Sequence, residues 1–287
     1  MKKIITVKTN ELEIKISTLG AELQSVKSKN GEEFLWEGAP AVWSGKAPIL
    51  FPICGGLKED RYTLSGKEYS LSKHGFLKKS EFEVEELSEN SVVMLFKSNE
   101  ETKKVYPFDF EFRAVFEAFE NRLDICYKIK NLSSCEMYYS VGAHEAYACP
   151  EGIEEYTVKF SEKENLDASV LQGNLLSDEF VRIAENTDLL PLKKEYFEID
   201  ALVFKKIKSR GVSLIKNNST KRIDVSFDDF CYLLLWHAYN SKYMCIEPWT
   251  GIPDVCGSTF DLEKKEGITK LSPENEDNIK HSITFTE

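Results

Sequence analysis

Most of the chain alternates between apolar and polar residues, a pattern typical of β-strands that bury one face. An early example is Leu12, Ile14 and Ile16, which alternate with charged residues. The longest example runs over residues 108–116, and the same alternation resumes over residues 123–129 after a short polar turn. This pair of segments predicts a β-hairpin.

Shorter segments extend the same picture along the rest of the chain. Alternating apolar positions are Tyr156, Val158 and Phe160, then Ile223, Val225 and Phe227, and finally Ile283 and Phe285. Residues 231–236 are continuously apolar, which predicts a central strand covered on both faces. The polar stretches 88–91 and 217–221 predict hairpin loops.

A helix is indicated at one place, where Ser177-Asp178-Glu179 precedes the apolar residues Phe180, Val181 and Ile183. The predicted fold class is therefore all-β, with antiparallel strands. The length of 287 residues is compatible with one large β domain, and no repeat, linker or charged tail divides it. We expect a single domain spanning residues 1–287.

Composition narrows the class of partner. With 42% hydrophobic and 12% aromatic residues the chain has ample material for a core. Its formal charge of -11 argues against a nucleic-acid surface, which needs clustered basic residues, so we expect a small-molecule partner.

The cysteines and the first residues bear on the compartment. Seven cysteines without a Cys-x-x-Cys pair are typical of free thiols in a reducing cytoplasm. The first residues lack the apolar stretch of a signal peptide, and no segment reaches membrane-spanning length. The expectation is a cytoplasmic protein without a membrane partner.

Three short motifs carry groups suited to acid–base chemistry. They are Lys-His-Gly-Phe at residues 73–76, Gly-Ala-His-Glu-Ala-Tyr at 142–147 and Cys-Ile-Glu-Pro-Trp at 245–249. Each lies where an extended segment meets a turn, so a β fold can bring them into one cleft. Together they supply two imidazoles and a carboxylate, which suit proton transfer on a small polar molecule near neutral pH.

The individual residues differ in how strongly they indicate a site. His144 lies among small residues that leave space around its ring, and Glu247 lies between apolar neighbours where an unpartnered carboxylate is costly. Trp249 offers an aromatic face suited to a sugar ring. His237, at the end of an apolar strand, fits either an ordinary strand-end position or a cleft wall, whereas His281 needs no function.

The same residues are candidates for a metal site, and the chain can also be searched for known nucleophile motifs. His144-Glu145 begins like a zinc-protease helix motif, but Ala148 stands where the second His is required and Pro150 disfavours a helix. A three-ligand metal site built from two His and one Glu stays open on sequence grounds. The chain has no Gly-x-Ser-x-Gly elbow, phosphate-binding glycine loop or dinucleotide fingerprint.

Six motifs, in order, resemble the aldose 1-epimerase (galactose mutarotase) family, particularly its LacX-like branch. They are Leu-Gly-Ala-Glu-Leu at 19–23, Ala-Pro-Ile-Leu-Phe-Pro-Ile at 47–53, His-Gly-Phe at 74–76, Gly-Ala-His at 142–144, Asp-Ala-Leu-Val-Phe at 200–204 and Cys-Ile-Glu-Pro-Trp at 245–249. The resemblance spans nearly the whole chain.

This resemblance implies a single-domain antiparallel β-supersandwich that holds a sugar in an open cleft without a cofactor. It implies that Glu247 is the base that removes the proton of the anomeric hydroxyl, and that His144 is the acid that protonates the ring oxygen. His74 and Asp200 would then hold sugar hydroxyls, with no metal involved.

The chain also departs from the family pattern. Many relatives carry Arg where this chain has Gly56, and many continue His-Gly-Phe with Ala-Arg where this chain has Leu77-Lys78. Lys58, Arg61 or Lys78 are candidates to supply the missing charge, although Lys does not reproduce a bidentate Arg contact.

Two further departures lie close to the proposed site. Glu145 stands where Pro is common, and a carboxylate there is expected to raise the pKa of His144. His237 follows Trp236 where relatives often have a small polar residue, so it is a candidate for an additional substrate contact.

The predicted function is an aldose 1-epimerase that interconverts the α and β anomers of a hexose by acid–base ring opening and closure. A free hexose is expected rather than a hexose phosphate, because the chain has six Arg against 48 acidic residues. The alternatives are a non-catalytic carbohydrate-binding or sugar-sensing protein on the same scaffold, and a sandwich-fold glycoside hydrolase or lyase. A hydrolase would need two carboxyl groups flanking one bond.

Overall fold

The computed structural model describes residues 2–287, which form twenty β-strands and one short α-helix. The strands are β1 Ile4–Lys8, β2 Leu12–Ser17, β3 Leu23–Ser28, β4 Arg61–Leu64, β5 Lys67–Ser70, β6 Glu83–Leu87, β7 Ser91–Lys97, β8 Phe110–Phe119, β9 Arg122–Asn131, β10 Met137–Tyr139, β11 Glu145–Ala148, β12 Tyr156–Gln172, β13 Leu175–Pro191, β14 Leu202–Phe204, β15 Gly211–Lys216, β16 Arg222–Ser226, β17 Tyr232–Trp236, β18 Tyr243–Trp249, β19 Thr269–Leu271 and β20 Glu276–Thr286. The helix, α1, is Glu100–Val105, and five short 3₁₀ segments are Lys58–Asp60, Leu77–Lys79, Ile153–Glu155, Lys194–Ile199 and Leu262–Lys264.

One large antiparallel sheet dominates these residues. Its strand order is β11-β18-β17-β14-β12-β15-β16-β20-β9-β8-β7-β6, with β13 paired to β12. Three smaller sheets, β1-β2-β3, β4-β5 and β10-β19, accompany it. The fold is thus the all-β, antiparallel β-supersandwich that the sequence predicted.

The core follows directly from the alternation in the sequence. In the hairpin of β8 and β9, Phe110, Phe112 and Phe116 are buried, while the intervening Glu111 and Arg113 reach the surface and pair with each other. Because successive side chains of a strand point to opposite faces, the period of two puts Phe110, Phe112 and Phe116 on the core side. The predicted hairpin is confirmed.

The continuously apolar segment is central strand β17, as predicted. It lies between β14 and β18. Leu233 and Leu235 belong to the main hydrophobic core, whereas Leu234 packs on the opposite face in a second apolar cluster. Both faces therefore select apolar residues, which explains why the segment does not alternate.

The helix predicted at residues 177–183 is wrong, because this segment lies inside β13 and pairs with β12. The local capping signal is real, since the hydroxyl of Ser177 accepts a hydrogen bond from the backbone N–H of Glu179. Strand pairing overrides it. The apolar residues that suggested a helix face, Phe180 and Val181, are 62% and 41% exposed.

The sequence interpretation missed α1, although its start carries a recognisable capping box. The Asn99 side chain accepts hydrogen bonds from the backbone N–H groups of Glu101 and Thr102, and the Thr102 hydroxyl accepts one from the backbone of Asn99. No helix formed by residues 2–287 is long and apolar enough to cross a membrane.

Candidate active site

A cleft of about 540 Å³ opens on the face of the large sheet opposite the main core, over strands β14, β17 and β18. Val203, Leu234 and Glu247 lie directly opposite one another in these three neighbouring strands and line the cleft. The floor is therefore an apolar row that ends in one carboxyl group. A volume of this size is typical of small-molecule sites.

His144 lies beside that carboxyl group. It immediately precedes β11, which pairs with β18, and the backbone N–H of Ala143 donates to the carbonyl of Pro248. As a result, Nε2 of His144 lies 3.3 Å from Oε2 of Glu247. Both residues are buried, with 8% and 2% of their surface exposed. Two of the three predicted motifs thus meet through a pair of strands that are neighbours only in space.

Burial decides the protonation of this pair. It raises the pKa of Glu247 well above its ordinary value, and the nearby charge of Lys73 only partly opposes this effect. Burial also lowers the pKa of His144 to about 3, with Lys73 and Lys78 adding to the effect. Both shifts favour the uncharged form, as expected for ionisable groups removed from water. Burial therefore favours the pair in which His144 is neutral and the carboxyl group of Glu247 carries a proton.

Glu145 does not raise the pKa of His144, contrary to expectation. Its side chain points away from the cleft, and its Oε1 lies 3.1 Å from Nε2 of His281. Glu145 is the first residue of β11, and alternation along the strand sends its side chain into the interior. His281 is thus a buried partner of Glu145 on β20, and neither residue lines the cleft.

The third motif, which carries His74, is held at the same cleft by hydrogen bonds with Gly55. The backbone N–H of Gly55 donates to Nδ1 of His74 at 3.1 Å, and the backbone N–H of His74 donates to the carbonyl of Gly55 at 2.8 Å. Because Nδ1 accepts a hydrogen bond, the ring proton resides on Nε2, which is then available as a donor. Burial lowers the pKa of His74 well below its usual value, which keeps this neutral tautomer.

Gly75 makes that arrangement possible. A Cβ atom at this position would lie 2.1 Å from the carbonyl oxygen of Phe51, and the residue has a φ of +64°. Only glycine tolerates both conditions. The ring of His74 consequently lies 5.8 Å from that of His144 and 5.4 Å from that of Trp249, measured between centroids.

Aromatic rings form one wall of the cleft. Trp43 stacks on His144 with a centroid distance of 5.1 Å, and Trp236 contacts both rings edge-on. The indole N–H of Trp236 donates to Oδ1 of Asp200 at 2.8 Å. Asp200 has a φ of +73°, an unfavourable conformation for a non-glycine residue. Trp249 also lines the cleft, with its indole N–H donating to the carbonyl of Ala143.

Two residues expected to contact substrate lie outside the cleft lining. Lys58 extends towards the carbonyl of Ser258, 3.5 Å away, and over the ring of Phe260. His237 follows the last residue of β17, so its ring is buried on the other side of the strand, where Nδ1 donates to the carbonyl of Tyr243 at 2.9 Å.

Arg61, a third candidate for positive charge, is not part of the cleft lining either. Its guanidinium pairs with Glu59 and Glu68 at the surface. By contrast, His74, His144, Asp200, Glu247 and Trp249 all line the cleft.

The sequence interpretation missed several cleft residues: Trp43, Lys73, Lys79 and Asn174. Asn174 lies in the turn between β12 and β13, far from any motif. A Cβ atom at Gly56 would lie 2.8 Å from the Cβ of Asn174. The position where the family pattern led us to expect Arg therefore faces a packed hairpin in this chain, and the glycine there is required by that contact.

A group with metal-ligand chemistry also occurs here. Among residues 2–287, ligand atoms of His144, Cys245 and Glu247 lie within 4.8 Å of one another. The third member is a cysteine rather than the second histidine considered from the sequence. Burial raises the pKa of the Cys245 thiol well above its usual value, which opposes the thiolate form that binds metals.

Known proteins resemble the chain over almost its full length. Residues 3–269 match the family model described as Aldose 1-epimerase. Protein LacX (plasmid form) from Lactococcus lactis subsp. lactis is 36% identical over 295 residues, covering 98% of this chain and 99% of the relative.

Two solved structures superpose closely. The galactose mutarotase related enzyme from Lactobacillus acidophilus has a TM-score of 0.94 at 35% identity, covering 99% of this chain and 98% of its own. A galactose mutarotase-like protein from Lactobacillus casei ATCC 334 has a TM-score of 0.93 at 26% identity, covering 99% of this chain and 100% of its own.

Proposed function

The chain belongs to the aldose 1-epimerase family, and we propose that it is a mutarotase that interconverts the α and β anomers of a hexose. The observation that carries this proposal is the buried contact between His144 and Glu247 at the floor of an open cleft. Two groups that share one proton are what the opening of a sugar ring requires.

Ring opening removes a proton from the anomeric oxygen O1 and delivers one to the ring oxygen O5, while the C1–O5 bond breaks. In the proposal Glu247, as carboxylate, takes the first proton and His144, as imidazolium, gives the second. Rotation about C1–C2 and the reverse transfers then close the other anomer. The net charge of the pair is unchanged throughout, so the buried site never carries an extra charge.

The required charge state is one proton transfer away from the resting pair. Burial favours the proton on Glu247, and its movement over the 3.3 Å to His144 creates carboxylate and imidazolium. Sugar hydroxyls and the charge of Lys73 are suited to stabilise the carboxylate. Proton transfer by such a positioned pair typically accelerates a reaction by about 10²- to 10⁴-fold.

The remaining cleft residues are proposed to hold the sugar. Nε2–H of His74 is a donor for a hydroxyl oxygen, and the free oxygen of Asp200 is an acceptor for a hydroxyl proton. Trp249 and Trp43 present ring surfaces for the apolar face of a pyranose.

The seven free cysteines support placing the protein in a reducing compartment, for which we propose the cytoplasm.

Polarimetry tests the proposal directly. Freshly dissolved α-glucose and α-galactose, and their 6-phosphates, should reach anomeric equilibrium faster with the protein than without it. A protein that binds these sugars but leaves every rate at the spontaneous value would be a carbohydrate-binding protein on the same scaffold, and the enzyme proposal would then be wrong.

A further inference from the structure

Three lysines line one side of the cleft: Lys73, Lys78 and Lys79. They come from the segment that carries His74 and from the 3₁₀ segment Leu77–Lys79 that follows it. Such a concentration of positive charge is unexpected in a chain with a formal charge of -11. A cluster of this kind inside a ligand cleft is a feature of sites that bind anionic groups.

The three ammonium groups have no acidic partner. Within residues 2–287, no carboxylate oxygen lies within 4.0 Å of them, whereas Lys97, Lys103 and Lys104 further along the chain each hold one. Nζ of Lys78 donates to the carbonyl of Lys73 at 2.9 Å, which fixes its position and leaves two of its protons free.

The lysines are close enough to repel one another. Burial, followed by the charges of Lys79 and Lys73, lowers the pKa of Lys78 to about 8. Lys73 and Lys78 also contribute to the low pKa values of His74 and His144. An unpaired cluster that repels itself gains free energy when an anion binds.

The carboxyl groups that line the cleft have partners other than the three lysines. Oε1 of Glu22 accepts the backbone N–H groups of Lys46 and Ala47, and its Oε2 accepts the side-chain amide of Gln24. Asp200 accepts the indole N–H of Trp236, and the carboxyl of Glu247 favours its neutral form. None of these carboxyl groups pairs with the three lysines, so the ammonium groups stay available to an anionic ligand.

We infer that the substrate of this cleft is a hexose with an anionic group on carbon 6, which the three lysines bind. The inference rests on the proposed mutarotase function. Ring opening needs a free hydroxyl at C1, so the anion is not at that position. C6 is bonded to C5, the ring carbon next to O5. Its substituent therefore lies on the side of the ring near the group that protonates O5.

The shared chemistry is a 6-phosphate or a 6-carboxylate, of which a phosphate offers more charge and more acceptor oxygens to three donors. This inference departs from the free hexose expected from the sequence. The acidic total of the whole chain and its few arginines suggested a neutral sugar, but the local field is set by lysines that fold together.

The first test compares substrates. Anomer exchange measured by NMR, after subtraction of the rate without protein, gives kcat/KM for glucose and galactose, their 6-phosphates and the corresponding hexuronic acids. We expect at least a roughly tenfold higher value for one anionic class than for the neutral sugars, and which class it is identifies the anion. Equal or higher values for the neutral hexoses would overturn the inference.

The second test removes single charges. Lys73→Gln, Lys78→Gln and Lys79→Gln should each raise KM for the preferred anionic sugar by about tenfold, and Lys78→Arg should restore most of the loss. The matched control is Lys128→Gln, which removes one half-buried charge from β9 outside the cleft and should change nothing. Equal effects of the control and the cleft variants would contradict a local anion site.

Failure of this inference is distinguishable from failure of the proposed function. Calorimetry on the Glu247→Gln variant measures binding of glucose and galactose, their 6-phosphates and the corresponding hexuronic acids without turnover. Salt-sensitive binding with no acceleration by the unmodified protein would keep the anion site and refute the mutarotase. Acceleration of neutral hexoses, with no tighter binding of either anionic class, would refute the anion site and keep the mutarotase.

Discussion

At the scale of single residues, the cleft depends on a carboxyl group that is buried at a position where an apolar residue would ordinarily be found. Glu247 ends a row of the cleft floor whose other members are the apolar Val203 and Leu234. A buried carboxyl group costs stability unless it has a partner, and the partner here is His144. Such a pair indicates function, because an apolar residue would fill the floor more favourably.

We expect Glu247→Gln to lower the mutarotation rate by about 10²- to 10⁴-fold while sugar affinity stays within a few fold, since the amide keeps the shape but cannot accept the proton. Polarimetry gives the rate, and calorimetry gives the affinity. His144→Asn should behave similarly. Near-normal rates in the Glu247→Gln variant would exclude Glu247 as the base, and loss of folding in His144→Asn would favour a structural role for that histidine.

The pH dependence follows from the two shifted pKa values. The pKa of His144 is lowered to about 3, and the pKa of Glu247 is raised well above its ordinary value. We expect kcat/KM to fall only in strong acid, as the pH drops towards about 3 and a second proton removes the base. An acid limb with its midpoint near pH 6.5, the ordinary value for histidine, would contradict this account.

The cluster of His144, Cys245 and Glu247 allows a separate test of metal involvement. Because proton transfer by side chains needs no metal, activity should survive dialysis against a strong chelator. The measurement is the rate before and after dialysis, with metal content determined in parallel. Loss of activity that one equivalent of zinc or manganese restores would show that the mechanism is wrong.

At the scale of elements, the long hairpin of β12 and β13 forms one edge of the cleft. Each strand has 17 residues, and their turn brings Asn174 to the cleft edge against Gly56. The hairpin therefore sets the shape of that edge of the cleft. Its exposed Phe180 and Val181 show that it extends beyond the core.

Gly56→Ala tests this contact. The added Cβ atom would lie 2.8 Å from the Cβ of Asn174 and 3.0 Å from its carbonyl oxygen, so the hairpin turn must shift. We expect a loss of about 1–3 kcal/mol in the free energy of unfolding, measured by denaturant titration, and a higher KM. Gly257→Ala is the control, because no atom lies within 4 Å of its added Cβ atom and its stability should hardly change.

At the scale of the whole molecule, one hydrophobic cluster contains residues from Val7 near the start to Phe285 near the end. We propose on this basis that the chain is a single domain. Thermal unfolding should then show one cooperative transition, with calorimetric and van't Hoff enthalpies in agreement. Two separable transitions, or a stable proteolytic fragment that retains half of the strands, would indicate independent units.

Alternation in the sequence was sufficient to predict several of the strands and the antiparallel class, because a strand that buries one face must repeat every second residue. The same reasoning located the β8–β9 hairpin and the central strand β17. It failed at residues 177–183, where a short capping signal competed with pairing to β12 that no local pattern reveals.

The motifs also identified most of the candidate site from sequence: His74, His144, Asp200, Glu247 and Trp249 all line one cleft. The motifs with His144, Asp200 and Glu247 adjoin or lie in strands β11, β14 and β18 of one sheet, whereas the motif with His74 reaches the cleft from the loop after β5. Trp43, Lys73, Lys79 and Asn174 were missed, since turns and single polar residues have no period and join the cleft only through contacts distant in sequence.

The tertiary structure alone decided which way each side chain points and which charge state each buried group favours. Successive side chains of a strand point to opposite faces of the sheet. Glu145 therefore points to His281 in the interior, although its neighbour His144 lines the cleft. His237 is likewise buried on the side of the strand away from the cleft wall that Trp236 forms. The pKa values of Glu247 and His144 depend on burial, which a residue acquires only when the strands assemble. Residue types and their order thus determined the family and the chemistry available, whereas packing determined which groups meet and which protons they hold.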